Sequence, residues 1–476
     1  MSKKIGLAIL LIICVVPLCF GFLQAFKDNS FSYVVSNTDI LFTILSTLVV
    51  SIVSSALATF LGLIQTFIFT QFNFKSKKLL NFILTFTSVI SPLVFAFAYL
   101  LIFIKLGINY SFNTSLVVIT LIMALHNAPL AYAYIKNQWT KLDSKREDIA
   151  LTLGVKRATY YRQIMQYSLR NTEINASILV FMKNLSFFSV AALLSRPEAS
   201  ISSTILNFGY DGSYSYAAVL CLISTVINIV ALLLYRIPSV TEDFSNSEQR
   251  KVEAFEVKLL IFILYLLAIV FCLAPIVFVI SKVNLQSLFN YDFLHTVLNS
   301  LCLALVAALI GSVISFLLVV NTHKDSLILL ALVAGPMCIG FSYFILSKTL
   351  PIPSIVYLIL SHIVITIPVT GCFTLLGLKG QSQQLSIASR TLGFSNKATF
   401  RNIEYPLLKG KLYAGICFAM LLSLGLFNLE FNTLSAKLYQ AILSNDIVSA
   451  CSISTVLIVL SLIIFIIGRK CLKEKQ

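Results

Sequence analysis

The 476-residue chain is 58% hydrophobic and 11% charged, with a mean hydropathy of +0.93. So little polar surface cannot cover a core in water, which excludes a soluble globular fold and points to an all-α integral membrane protein. The net charge of +16 sits in Lys and Arg between apolar runs, where topology and lipid headgroups account for it and no nucleic acid partner is needed.

A helix crosses a bilayer with roughly 20 apolar residues. Twelve such spans are predicted, near 5–25, 41–70, 79–104, 115–135, 174–194, 215–235, 258–281, 296–320, 327–347, 354–378, 411–430 and 446–468. The first follows Lys3 and Lys4 like a signal peptide, but its apolar run is long and no small-x-small site follows, so a retained span is expected. With the N-terminus inside, the segments assigned to the cytoplasm hold 28 of the 35 Lys and Arg. Both termini are therefore expected to be cytoplasmic. The ten Cys lie almost entirely inside spans, with neither a CxxC pair nor His at ligand spacing, so no metal site or disulfide framework is expected.

The order of features in the first half returns in the second. Thr43, Pro92, Pro129 and Gly154 correspond to Thr296, Pro336, Pro368 and Gly393, at offsets of 253, 244, 239 and 239 residues. A smoothly shrinking offset is the mark of a duplicated six-span unit whose second copy has shorter connections. An even number of spans per unit gives both copies one orientation, with a path between them. The expected division is 1–235 and 258–476 as parallel six-helix repeats, with a polar cytoplasmic linker at 236–257.

Two charged loops occupy the same slot of each copy. In the first, Ser144 and Glu147 read as a capping box that starts a short helix, Gly154 ends it, and a second helix carries Tyr161 and Ile164. In the second, Ala388 and Ser389 precede Gly393, then Phe400 and Ile403 at the same spacing, then Pro406. The small residues Ala150, Ala388 and Ser389 are expected to keep the first helix slim for the close approach of a partner. The second loop has Leu385 where a capping acid would stand.

These loops resemble the EAA motif of the type I ABC-importer permeases, through Glu147-Asp148-Ile149-Ala150 to Gly154 and through Ile387-Ala388-Ser389 to Gly393. The chain departs from that pattern at Ile149, at Ile387 in place of the acid, and at Tyr167 where the second copy has Pro406. The resemblance implies a permease fold whose loops (Glu147, Asp148, Ala150, Gly154, Tyr161 and Ile164; Ala388, Ser389, Gly393, Phe400, Ile403 and Pro406) dock on two copies of a cytoplasmic ATPase. It also implies a periplasmic solute-binding protein above, a bacterial inner-membrane location, and no enzyme activity in this chain. No GxxxxGK[ST] loop is present, so ATP and Mg would be bound by the partner and no cofactor by this chain.

Twelve fused spans resemble the thiamine and iron(III) branch of these importers. His126-Asn-Ala-Pro-Leu-Ala131, Ile403-Glu-Tyr-Pro406 and Thr433-Leu-Ser-Ala-Lys-Leu-Tyr439-Gln are similar to thiamine permeases, and iron(III) is the alternative cargo. Polar groups at bilayer depth are costly and mark a pathway or a partner. His126, Asn127, Lys183, Ser186, Phe187, Asn428 and Glu430 are the pathway candidates, with Asn184 and His362 as further polar groups. A carboxylate beside aromatic faces suits a flat cation. Lys183 would oppose one unless it pairs with Glu430 or faces elsewhere, and the histidines serve equally as helix-to-helix fasteners. A proton-coupled secondary transporter also fits twelve spans in two halves, although the short loop at Gln71–Lys78 lacks the Gly- and Arg-rich pattern of the major facilitators.

Overall fold

The structure, a computed structural model, describes residues 11–27, 29–107, 112–140, 145–186, 188–194, 200–235, 250–252, 254–284, 291–322, 333–379, 388–389, 391–426 and 433–473. Helix dominates because backbone N–H and C=O groups in lipid have no water to bond and must satisfy one another within the segment. In chain order the main helices are α1 (Val16–Leu23), α2 (Thr38–Gln71), α3 (Lys77–Thr87), α4 (Pro92–Lys105), α5 (Phe112–Trp139), α6 (Lys145–Thr152), α7 (Gln166–Leu185), α8 (Ile201–Tyr210) and α9 (Tyr214–Leu233). They continue with α10 (Phe255–Leu267), α11 (Ala274–Ile280), α12 (Tyr291–Thr322), α13 (Pro336–Thr349), α14 (Ser354–Lys379), α15 (Tyr405–Leu424), α16 (Leu434–Leu443) and α17 (Ile447–Lys473).

Eight helical segments among the described residues are long and apolar enough to cross a membrane, or ten if two bent pairs each make one span. The expected spans at 174–194 and 327–347 take a different form. α7 begins early, at Gln166, and its first turns carry Arg170, Asn171, Glu173 and Asn175, so the helix is too polar to read as a simple span. The segment at 327–347 is described only from residue 333, where α13 supplies 14 residues. Proline explains the sharpest bend. The residue before a proline is pushed out of the helical region, and Ser91, at φ −52° and ψ 129°, breaks α3 from α4 at 96°.

Among the described residues α2 is the longest helix, with 34 residues, or about 51 Å at ~1.5 Å per residue. That exceeds the ~30 Å of hydrocarbon, so the helix is longer than an upright crossing needs. Asn37 caps its start, the side chain accepting from the N–H groups of Asp39 and Ile40. Packing then relies on small and hydroxyl residues, because lipid tails are as apolar as Leu and supply no drive to exclude them. A Cβ on Gly62 would stand 2.7 Å from the Tyr132 backbone nitrogen, and one on Gly311 would stand 2.3 Å from Thr366 Oγ1. α2 therefore lies directly on α5, and α12 on α14. Thr366, Thr370 and Thr374 bond back to carbonyls one turn earlier, and Thr366 also reaches the Ala307 carbonyl at 3.1 Å. Their hydroxyls are satisfied while their methyls pack.

The leading helix of each half lies against the other half. Cys14 is buried among Ala334, Ile339, Tyr343, Leu346 and Tyr357, whereas Val257, Ile261, Leu264, Ala268 and Cys272 are buried among Ile68, Phe69, Leu80, Leu84 and Tyr132. A two-residue parallel strand pair joins β1 (Phe72–Asn73) to β2 (Arg250–Lys251), fixing the far end of the linker to the end of α2.

Candidate functional site

The first charged loop is built as a helix, a turn and a second helix. α6 ends in a Schellman turn: the Val155 N–H donates to the Ala150 carbonyl at 3.0 Å, and Gly154 takes φ +79°. The second loop repeats it, with the Phe394 N–H donating to the Ser389 carbonyl at 3.1 Å and Gly393 at φ +85°. Nothing lies within 4 Å of a Cβ built on either glycine. Glycine is there for its backbone angle alone, since a left-handed φ costs any other residue roughly 1 kcal/mol or more.

Two of the three small residues face inward. Ala150 is buried with Trp139, Tyr160, Met165 and Leu169, and Ser389 is buried with its Oγ donating to Thr399 Oγ1 at 3.0 Å. Both pack against neighbouring residues of the chain, while the third small residue, Ala388, is exposed. Next to the turns the exposed apolar side chains are Ile149 and Leu153 in the first loop and Leu392 and Phe394 in the second, with Leu153 and Leu392 each 77% exposed. The residue before the turn glycine is the signal that could have found them, since the Schellman geometry turns it outward in both copies.

The acids separate likewise. Asp148 is exposed, whereas Glu147 is buried and takes Arg157 Nε on Oε1 at 3.1 Å and the Tyr161 hydroxyl on Oε2 at 2.8 Å. Tyr161 also lies 3.0 Å from Gln71 Oε1. One phenol has one proton, which goes to the carboxylate; turning the Gln71 amide so that its NH2 donates to the phenol oxygen satisfies both contacts. This network ties the loop to the end of α2, and the Tyr161 ring meets Phe67 edge-on, with centroids 5.5 Å apart. Ser144 lies outside the described residues, and Glu147 is engaged with Arg157 and Tyr161. Ile164 is exposed, Ile403 and Pro406 are half-buried, and Phe400 rests on Phe316, with centroids 6.0 Å apart.

The pathway candidates divide into fasteners and boundary residues. Asn127 donates to Asn184 Oδ1 at 2.5 Å and Asn184 donates to Ser54 Oγ at 2.7 Å, all three buried. That chain pins α5, α7 and α2 together. His362 pairs with Ser423 Oγ at 2.7 Å and fastens α14 to α15. His126 is buried against Phe95, edge-on with centroids 5.5 Å apart, and lines a narrow cavity with Thr87, Tyr99, Phe271 and Cys272. Lys183 is half-buried and makes no hydrogen bond among the described residues. Ser186 sits where the halves meet: a Cβ on Gly335 would stand 2.0 Å from its Oγ. The corresponding place on the other side brings Ser91 against Gly425, with Ser91 Oγ donating to the Gly425 carbonyl at 3.5 Å. The pre-proline position of Ser91 and Gly335 was the available signal for this boundary. Phe187, Asn428 and Glu430 lie outside the described residues.

Residues 58–238 match the model of the family described as "Binding-protein-dependent transport system inner membrane component". A comparison with curated proteins returns no match. The matched segment begins inside α2, carries the whole first loop and covers less than half of the chain, and over that stretch the chain is similar to such inner-membrane transport components.

Proposed function

We propose that this chain is the fused permease of a binding-protein-dependent ABC importer, with residues 1–235 and 258–476 as two six-helix units around one path and 236–257 as their linker. The observation that carries the reading is the matched pair of turns at Gly154 and Gly393, each presenting an outward Leu at 77% exposure beside an inward small residue. Such a pair suits docking on two copies of a cytoplasmic ATPase that binds ATP and Mg. A solute-binding protein delivers cargo from the periplasmic side, and both termini lie in the cytoplasm of an inner-membrane protein. ATP-driven closure shifts the path between its two openings only by the difference in docking free energy between the states. Thiamine or its phosphates is the proposed cargo, from the similarity around His126–Ala131, Ile403–Pro406 and Thr433–Gln440.

Two experiments test the reading. Leu153→Asp with Leu392→Asp should abolish co-purification of the ATPase while the chain still inserts; undiminished uptake in that variant refutes the docking role. Titrating the solute-binding protein encoded beside this chain with thiamine, thiamine phosphates and ferric ion decides the cargo. Ferric binding without thiamine binding replaces thiamine by iron(III).

A further inference from the structure

Two prolines free two carbonyls in the leading helices. Pro17 follows a π turn at Leu11–Val15, and Pro275 follows one at Ala268–Leu273. Proline has no N–H, so the carbonyl four residues back loses its helical donor. Those carbonyls belong to Ile13 and Phe271. In each case a tyrosine of the other half supplies the missing proton: Tyr343 Oη donates to the Ile13 carbonyl at 2.6 Å, and Tyr99 Oη donates to the Phe271 carbonyl at 2.7 Å. Both tyrosines are more than nine-tenths buried, where an unmet carbonyl is costly. The pairs are related as the rest of the halves are, Tyr99 to Tyr343 by 244 residues and Phe271 to Ile13 by 258.

The tyrosines stand on the two helices that begin at the boundary between halves. α4 starts beside Gly425 of the second half and two turns later holds Phe271 of the second half. α13 starts beside Ser186 of the first half and holds Ile13 of the first half. We infer that Tyr99 and Tyr343 are positioning residues, reciprocal latches that fix each boundary helix to the proline break of the opposite half's leading helix, so that boundary and leading helix move together.

The test uses the full chain in lipid nanodiscs and backbone hydrogen exchange read by mass spectrometry. Tyr99→Phe should speed exchange about fivefold in residues 268–276, the loss expected of one hydrogen bond, and leave residues 11–19 unchanged. Tyr343→Phe should do the reverse. Pro275→Ala returns an N–H to the helix, so in that background Tyr99→Phe should have no effect on 268–276; Pro17→Ala should likewise cancel Tyr343→Phe. A tyrosine that merely packs would not be rescued by the distant proline change. The inference is overturned if the tyrosine effect persists in the alanine background, or if it appears only in the tyrosine's own helix. Where an alanine variant fails to insert, the cross-half pattern of the single tyrosine variants decides.

Discussion

Tyr161 shows how much one side chain can organise. Its proton goes to buried Glu147 while its ring packs between Phe67 and Trp139. Tyr161→Phe keeps the ring and removes the proton, so it should cost about 1 kcal/mol, seen as faster hydrogen exchange in α6 with insertion intact. Gly154→Ala and Gly393→Ala meet no neighbour and should each cost about 1 kcal/mol through backbone angle alone, visible as a lowered melting temperature. Asp446 offers a pH test. Its side-chain and backbone hydrogen bonds to Ser449, at the start of α17, hold its carboxyl below the ordinary carboxylate value. A depressed folded pKa contributes stability that is present above the unfolded value, near ~4, and is lost as pH falls through the folded one. Protection at the start of α17, taken relative to the intrinsic exchange rate at each pH, should therefore fall on acidification below that range, and Asp446→Asn should abolish that change in protection. Both turn glycines were legible in the sequence because a left-handed position has a residue signature. The inward course of Glu147 was not, since it depends on Arg157 and Tyr161, which arrive only after the turn.

Among elements, hydropathy located most spans because the bilayer imposes one length on all of them. The span expected at 174–194 is not among the long apolar helices of the described residues, where α7 runs on from the loop through polar turns at Arg170–Asn175 and ends at Leu185, and hydropathy could not foresee that Asn127 and Asn184 bond each other. A polar residue at bilayer depth announces itself in sequence, whereas its partner on another helix does not. Helix contacts give a sharper prediction. A Cβ at position 62 meets backbone, at Tyr132, whereas one at 311 meets the end of a side chain, at Thr366. Gly62→Ala should therefore destabilise by about 1–3 kcal/mol and resist rescue by truncating neighbours. Gly311→Ala should be largely restored by Thr366→Ala. Thermal melting of Gly62→Ala, Gly311→Ala and the Gly311→Ala, Thr366→Ala pair in detergent reads both outcomes.

At the scale of the molecule, the helices that begin at Pro92 and Pro336 meet the opposite half through small groups. A Cβ on Gly425 would lie 3.5 Å from the Ser91 Cβ, within the separation that a disulfide spans. In a background with the native cysteines replaced, Ser91→Cys with Gly425→Cys should cross-link on mild oxidation and arrest uptake until reduced; free uptake by the cross-linked chain would show that this boundary does not open. The strand pair carries a different consequence. Tyr235, just before the linker, bonds Tyr134 at 2.7 Å, and Arg250, toward the linker's far end, pairs with Phe72, so both ends of the intervening segment are moored to the same half. The proposed linker is then not the sole tie between the halves, because α10 leaves that mooring and packs on Ile68, Phe69, Leu80 and Leu84 of the first half. A protease nick between 236 and 249 should leave an assembly that purifies as one particle and still transports, because the interlaced helices and not the peptide bond keep the halves at high effective concentration.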